Sequence, residues 1–276
     1  MSVLLPYFVD SLLYAFLGVH FWRTRWRTTG PGGKPRPEKI QPWERAVILL
    51  PLLLHGSLLY HSLLASGGLN LGVGNVVSVV VWLTVLIYWL ANFWCKLEGL
   101  QAFVLGIAAI STLFPLILPG AHNLPYSEPP AFMAHLLMAL LAYSLFTIAA
   151  VHAGLMLLVE RRLHSGALPA LLQNLPPLLT MESLLFRVIS AGFILLTLTL
   201  VSGALFSEEL FHKPLQFTHK TVFAIVSWVI FGALLAGRNI YGWRGRTAIR
   251  WTLTGFAMLL LAYVGSKFVL EVILHK

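Results

Sequence analysis

The stretch FMAHLLMALLAYSLFTIAAVHAGLMLLV, residues 132–159, decides the fold. It holds no Asp, Glu, Lys or Arg, and it exceeds the roughly 20 apolar residues that a helix needs to cross a bilayer. Because backbone groups in hydrocarbon must bond within their own segment, such a span is a helix. Seven other apolar stretches resemble it, so the eight predicted spans are 3–22, 46–65, 73–95, 100–119, 132–159, 187–206, 221–240 and 251–273.

The composition agrees with an all-α polytopic membrane protein of eight transmembrane helices. Of the 276 residues, 58% are hydrophobic and only 11% are charged, whereas soluble domains carry about 25% charged residues. This excludes a soluble enzyme and a disordered protein, and it predicts one transmembrane helical domain over residues 1–276. The single cysteine, Cys95, also excludes a disulfide framework and a Cys-x-x-Cys redox pair.

The basic residues predict the orientation of the spans. When the first connection is placed in the cytoplasm, 15 of the 19 Lys and Arg residues fall on the cytoplasmic side, as the positive-inside rule requires. Both termini are then on the outer face. The formal net charge of +9 is explained by this topology, so the predicted partner is the lipid bilayer and no nucleic acid is expected.

Histidine is the residue type most suited to chemistry in this chain. Ten histidines are present, and neutral imidazole is a good ligand for haem iron and other metals. His135 and His219 each begin a long apolar helix at its outer end, where two imidazoles can address both faces of one planar ligand. His135 and His152, by contrast, are about 25 Å apart along one helix and cannot share an iron.

Sequence motifs of hydrolases, nucleotide-binding proteins and zinc proteases are missing. The chain has no His-Glu-x-x-His, no glycine-rich phosphate loop and no Gly-x-Ser-x-Gly. We therefore expect no catalytic residues and no enzymatic activity.

Several segments carry a family resemblance. They are HLLMALLAYS at 135–144, ESLLFR at 182–187, GFILLT at 192–197, SGA at 202–204, KTVFAIVSW at 220–228, GWRGR at 242–246 and LAYVGS at 261–266. These segments resemble the cytochrome c assembly membrane family, the CcsA/CcmC/HemX-like group of haem-handling proteins. They are most similar to its YpjD-like branch, which implies a multi-pass protein of the bacterial inner (plasma) membrane. The outer face, on which the charge count places both termini, is then periplasmic.

The chain departs from the family's ligand pattern. The family's signature Trp-Gly-x-x-Trp-x-Trp-Asp would fall at 207–218, which reads SEELFHKPLQFT without a tryptophan. The family's transmembrane histidine is replaced around 235–237, and its second external histidine is matched by His275 only with a shift of one residue. The resemblance thus supplies His135 alone, and His219 is a substitute ligand proposed from its position.

Three functional hypotheses follow. The first is a haem-handling protein that assists cytochrome c assembly or haem delivery, alongside other cytochrome c assembly proteins. In it, His135 and His219 hold the haem iron at the outer face, between the fifth and seventh spans and near Tyr143 and Phe223. The second is a haem-free structural or regulatory membrane partner of a transporter or assembly complex. The third is a cation or proton transporter that uses three further polar residues in the spans, Asp10, His55 and His152.

Overall fold

The computed structural model describes residues 4–26, 41–64, 68–94, 100–118, 123–125, 130–164, 178–211 and 219–265. Its helices are α1 (Leu4–Phe21), α2 (Pro42–Leu64), α3 (Val73–Ala91), α4 (Gln101–Ser111), α5 (Phe114–Ile117), α6 (Pro130–His164), α7 (Leu178–Phe211), α8 (His219–Tyr241) and α9 (Arg246–Leu260). Single π-helical turns follow α1 at Trp22–Trp26 and α9 at Leu261–Gly265. Two short strands, β1 (Gly68–Asn70) and β2 (Asn123–Pro125), pair antiparallel. The sequence did not predict this pair.

Six of the predicted spans are confirmed as helices that are long and apolar enough to cross a membrane: α1, α2, α3, α6, α7 and α8. The predicted span 100–119 falls on α4 and α5, which together form only a shorter apolar helix. The predicted span 251–273 falls on α9 and its π-helical turn, and its part beyond Gly265 lies outside the described residues. The count of eight and the sides of the termini stay predictions.

Two helices extend beyond their predicted spans. The span 132–159 belongs to α6, which runs from Pro130 to His164, and the span 187–206 belongs to α7, which already begins at Leu178. The extra turns hold Glu160 and Glu182, which pair with Arg246 and Arg244. A hydropathy pattern stops at the first charged residues, whereas paired charges let the helix continue into the polar layer.

The bundle has two chemically different ends. The β end is the end that carries β1 and β2. At the opposite end, the basic end, Arg246 Nε lies 2.6 Å from Glu160 Oε1 and Arg244 Nε lies 3.5 Å from Glu182 Oε1. Apart from Lys220, the basic side chains that the structure describes lie towards the basic end: Arg23, Arg45, Arg161, Arg187, Arg238, Arg244, Arg246 and Arg250. This separation is what the positive-inside count predicts.

Helix α6 packs against α3, α7 and α9. On one side, the Ser144 hydroxyl donates to the Val80 carbonyl of α3 over 3.0 Å. On another, the Phe146 ring stacks on Phe231 of α8 with centroids 3.9 Å apart. Ser144, Phe146 and Phe231 are fully buried, so this long helix organises the core between the two halves of the chain.

The turn from α8 to α9 depends on close backbone approach. Gly242 and Gly245 adopt positive φ values of 66° and 55°, which favour glycine. The Trp243 backbone N–H donates back to the Gly237 carbonyl over 3.2 Å. This fold places the Trp243 ring where a Cβ atom on residue 237 would be.

We expect Gly237→Ala to destabilise the protein by about 1–3 kcal/mol, because the added methyl overlaps the Trp243 ring and the turn must shift. Gly154→Ala is the matched control. Its Cβ meets no atom within 4 Å, and alanine favours a helix over glycine by about 1 kcal/mol. Thermal unfolding of the detergent-purified chain measures both variants, and equal melting temperatures would contradict the packing described for Gly237.

Candidate functional site

His135 is held against α7 by a chain of two hydrogen bonds. Its Nδ1 lies 2.8 Å from Ser202 Oγ, and Ser202 Oγ donates to the Thr199 carbonyl over 3.1 Å. A serine hydroxyl has one proton to donate. For both bonds to form, the His135 Nδ1–H must therefore donate to Ser202. The Nε2 atom is then the ring nitrogen that carries the lone pair.

Gly203 of α7 has no side chain, which leaves room for the His135 imidazole. A Cβ atom on Gly203 would be 3.2 Å from His135 Cε1, closer than nearly all real contacts of this kind. The ring therefore packs directly on the α7 backbone beside Ser202. On its own helix, Phe132 lies nearby with ring centroids 6.5 Å apart. The ring of His135 is thus positioned by α7, and the Nδ1–H tautomer is the one that satisfies both hydrogen bonds.

Ser202, Gly203 and Thr199 were not predicted from the sequence as parts of this site. Residues 202–204 were identified only as one of the segments that carry the family resemblance. A physical signal was present, because Ser-Gly-Ala interrupts the large side chains of the seventh helix and small residues mark places where membrane helices approach closely. The sequence could not show which side chain from another helix occupies the space.

His219 and Phe223 lie at the start of α8. His219 is the first residue of the helix and is exposed, and Phe223, one turn later, is half-buried. The His135 contacts described above run to α7. Ligation of one iron by both His135 and His219 therefore stays a prediction.

Tyr143, also predicted to be near the ligand, faces a different part of the bundle. Its hydroxyl donates to the Leu259 carbonyl of α9 over 2.8 Å, and its ring lies 6.4 Å from that of Tyr263. Eight residues separate it from His135, which is about 80° around the helix and about 12 Å along it. Tyr143 and His135 thus belong to adjacent faces of α6.

The face with Tyr143 borders an apolar groove of about 280 Å³ between α3, α4, α6 and α9. Tyr143 and Tyr263 line it together with aliphatic side chains such as Val80 and Leu140. Towards the β end, Lys220 Nζ lies 5.7 Å from the centre of the Tyr263 ring. The start of α8 therefore approaches the groove through Lys220 and Tyr263.

The other polar residues named from the sequence separate into two places. The His152 Nε2–H donates to the Met181 carbonyl of α7 over 2.8 Å. Asp10 and His55 instead lie with Tyr14 among the first four helices. Within the described ranges, no three His, Cys, Asp or Glu side chains are close enough to hold a metal ion together.

Comparisons with known proteins agree with the resemblance read from the residues. The family model for the Cytochrome C assembly protein matches residues 43–274. Inner membrane protein YpjD of Escherichia coli (strain K12) is 31% identical over 245 residues, which are 86% of this chain and 90% of that protein. Cytochrome c biogenesis protein CcsA of Prochlorococcus marinus (strain MIT 9215) is 36% identical over 88 residues, 32% of this chain and 28% of CcsA.

We expect His135 to be the Nδ1–H tautomer at neutral pH. Nitrogen-15 NMR of histidine-labelled protein measures this, with the His135→Gln variant identifying the signal. Ser202→Ala removes the acceptor, so the His135 signals should shift. Ser57→Ala is the control, because the Ser57 hydroxyl bonds only to Leu54 in its own helix. An Nε2–H tautomer in the unsubstituted protein would contradict the hydrogen-bond chain.

Proposed function

The chain belongs to the Cytochrome C assembly protein family, and from this membership we propose that it handles haem in the inner membrane during cytochrome c assembly or haem delivery. Relatives are named for an inner membrane location and for cytochrome c biogenesis. The proposed partners are the lipid bilayer, haem and other cytochrome c assembly proteins. The N- and C-termini are proposed to be periplasmic. The proposal includes no catalytic residue and no enzymatic step.

The observation that carries the proposal is the hydrogen-bond chain from His135 to Ser202 and Thr199. Metal-bound histidines almost always donate their other ring N–H to a nearby acceptor, which fixes the tautomer and strengthens the ligand. His135 has this arrangement, with Nε2 carrying the lone pair that an iron needs. The donor set therefore fits haem.

The two proposed ligands have different roles. His135 is the retained ligand, because Ser202 and Gly203 hold its ring on α7. His219 is the exchangeable ligand, because it is exposed at the first residue of α8. Haem, when bound, supplies an iron that takes imidazole ligands and an apolar ring that prefers hydrocarbon to water.

Tyr143 and Phe223 would contact the apolar ring. Phe223 follows His219 by one helical turn and is half-buried, so a ligand at His219 reaches it along the same face of α8. Tyr143 lines the groove beside α9. Because His135 and Tyr143 lie on adjacent faces of α6, the ring would extend around α6 towards α8 and α9.

A haem-free structural or regulatory partner of a transporter or assembly complex is the second candidate function. One observation favours it: the family's tryptophan-rich signature is missing from 207–218. In this case His135 serves only to pack α6 on α7.

Haem titration of the detergent-purified protein tests the choice between these functions. We expect an absorbance change in the Soret region with the unsubstituted chain, and loss of tight binding in His135→Ala, because the retained iron ligand is removed. His61→Ala is the matched control, since His61 is an exposed histidine on α2. A colourless protein that does not bind added haem would favour the haem-free function.

A second variant tests the supporting hydrogen bond. We expect Ser202→Ala to weaken haem binding by about tenfold or more, which is the usual effect of removing a group that orients a metal ligand. His219→Ala should speed haem transfer to an acceptor such as apomyoglobin, because one ligand no longer has to dissociate. An unchanged haem affinity in Ser202→Ala would contradict the role given to the hydrogen bonds that connect His135, Ser202 and Thr199.

A further inference from the structure

Three titratable side chains lie together, fully buried, among α1 to α4. The exposed fractions of Asp10, Tyr14 and His55 are 0%, 0% and 1%. The Tyr14 and His55 rings meet edge to face with centroids 5.7 Å apart, and Asp10 lies one turn from Tyr14 on the same face of α1. Polar groups at this depth of a membrane helix are costly unless they have partners or a function.

Asp10 and His55 each have one polar atom with a hydrogen-bond contact and one without a partner, and the Tyr14 hydroxyl has no partner. Thr112 Oγ1 of α4 lies 3.3 Å from Asp10 Oδ2, and His55 Nε2 lies 2.8 Å from Ser78 Oγ of α3. Among the described residues, Asp10 Oδ1, Tyr14 Oη and His55 Nδ1 are buried without a hydrogen-bond partner. Three buried polar atoms on α1 and α2 are thus without a hydrogen-bond partner, and Tyr14 interacts with both of the other residues.

A line of polar groups connects this place with the β end. The Asn75 side-chain amide donates to the Asn70 carbonyl in β1 over 3.0 Å, and Ser62 Oγ donates to Asn75 Oδ1 over 2.6 Å. The Tyr7 hydroxyl lies near Ser62 of α2. Tyr7 is followed by Asp10 at the spacing that puts both on one face of α1, and the line from Tyr7 to Tyr14 is about 10 Å long.

The line stops beyond Tyr14. Towards the basic end, the buried neighbours are apolar and aromatic: Leu17, Leu52, Val85 and Tyr88 belong to one continuous core cluster. On α1, the buried residues beyond Tyr14 are Leu17, Gly18 and Phe21, so the buried polar side chains of this helix run from the cluster towards the β end. This arrangement suits a site that exchanges with the β-end side.

The charge around Asp10 comes from few groups. Asp10 interacts with Tyr14 on its own helix and with the Thr112 hydroxyl on α4, and His55 of α2 joins the cluster through its ring contact with Tyr14. Among the described side chains of α1 to α4, Arg23 and Arg45 lie at the basic end. The exposed His61 is at the β end of α2. Neutralisation of Asp10 thus depends on a proton or on a bound ion.

We propose that Asp10, Tyr14 and His55 form a proton-binding site within the membrane, which exchanges its proton with water at the β end. When His55 donates Nε2–H to Ser78, its Nδ1 and Asp10 Oδ1 are both acceptors, and Tyr14 can donate only one proton. A proton taken from water supplies the missing donor and removes the charge of Asp10. Its release leaves the carboxylate and returns the proton to water at the β end, where Tyr7, Ser62 and Asn75 supply polar groups.

A metal cation fits this place less well than a proton. Hard cations such as Ca²⁺ take six to eight oxygen ligands, and the described side chains of the cluster offer fewer, namely the carboxylate of Asp10 and the hydroxyls of Tyr14, Thr112 and Ser78. Backbone carbonyls within the helices are occupied by the helices' own hydrogen bonds. The site is separate from the one proposed for haem, which lies on α6 to α8, so each can fail without the other.

The sequence allows a direct measurement. Asp10 is the only aspartate in the chain, so cell-free synthesis with aspartate carrying carbon-13 in its side-chain carboxyl labels one carboxyl. In the full chain in lipid nanodiscs, we expect its NMR signal to move between the protonated and ionised positions as pH rises. The midpoint should change by about one pH unit in His55→Gln and in Tyr14→Phe, because each loses a polar neighbour of the carboxyl.

The controls are the exposed neighbours on α2, His61→Gln and Tyr60→Phe, which should leave the midpoint unchanged. A signal that stays at one position across the pH range would overturn the proposal, and so would equal midpoints in the cluster and control variants. A midpoint that moves with Na⁺ or K⁺ concentration at constant ionic strength would show a cation site instead. None of these results depends on haem.

Discussion

Satisfying polar groups inside an apolar bundle is the constraint on which this structure depends. The helices satisfy their own backbones, but the buried polar side chains must find partners on neighbouring helices. Ser144 bonds to α3, Tyr143 to α9, and His152 to α7. Because hydrocarbon gives apolar side chains little reason to associate, such bonds and close packing determine which helices meet.

Helix α6 shows how one element serves several purposes under this constraint. One face places His135 against the small residues of α7, and an adjacent face places Tyr143 beside the groove and α9. The Phe146–Phe231 stack holds α8 next to them. A planar ligand at the outer part of α6 would thus contact surfaces from helices far apart in sequence, which suits a protein that holds and then releases an apolar cargo.

The two proposed sites differ in how far their buried polar atoms are hydrogen-bonded. At His135, Nδ1 is hydrogen-bonded to Ser202, which is bonded to Thr199, and the proposed function assigns the iron to the other ring nitrogen. At Asp10, Tyr14 and His55, the bonds are incomplete, and the unpaired atoms account for a proton. The first site is in the part of the chain that carries the family's motifs. The second is on α1 to α4, and the family match from residue 43 onwards includes all of these helices except α1 and the start of α2.

The sequence by itself determined the helical class, six of the spans, the family and the separation of basic residues, because these follow from local hydropathy, charge and motifs. Boundaries were wrong where paired charges prolonged α6 and α7, and the β1–β2 pair was missed. Only the tertiary structure decided that His135 contacts Ser202 and Gly203 and that Tyr143 faces α9. It also decided that Asp10 and His55 lie with Tyr14 among the first four helices, whereas His152 contacts α7. These contacts join residues tens to more than a hundred positions apart, and hydropathy carries no information about which faces of two helices touch.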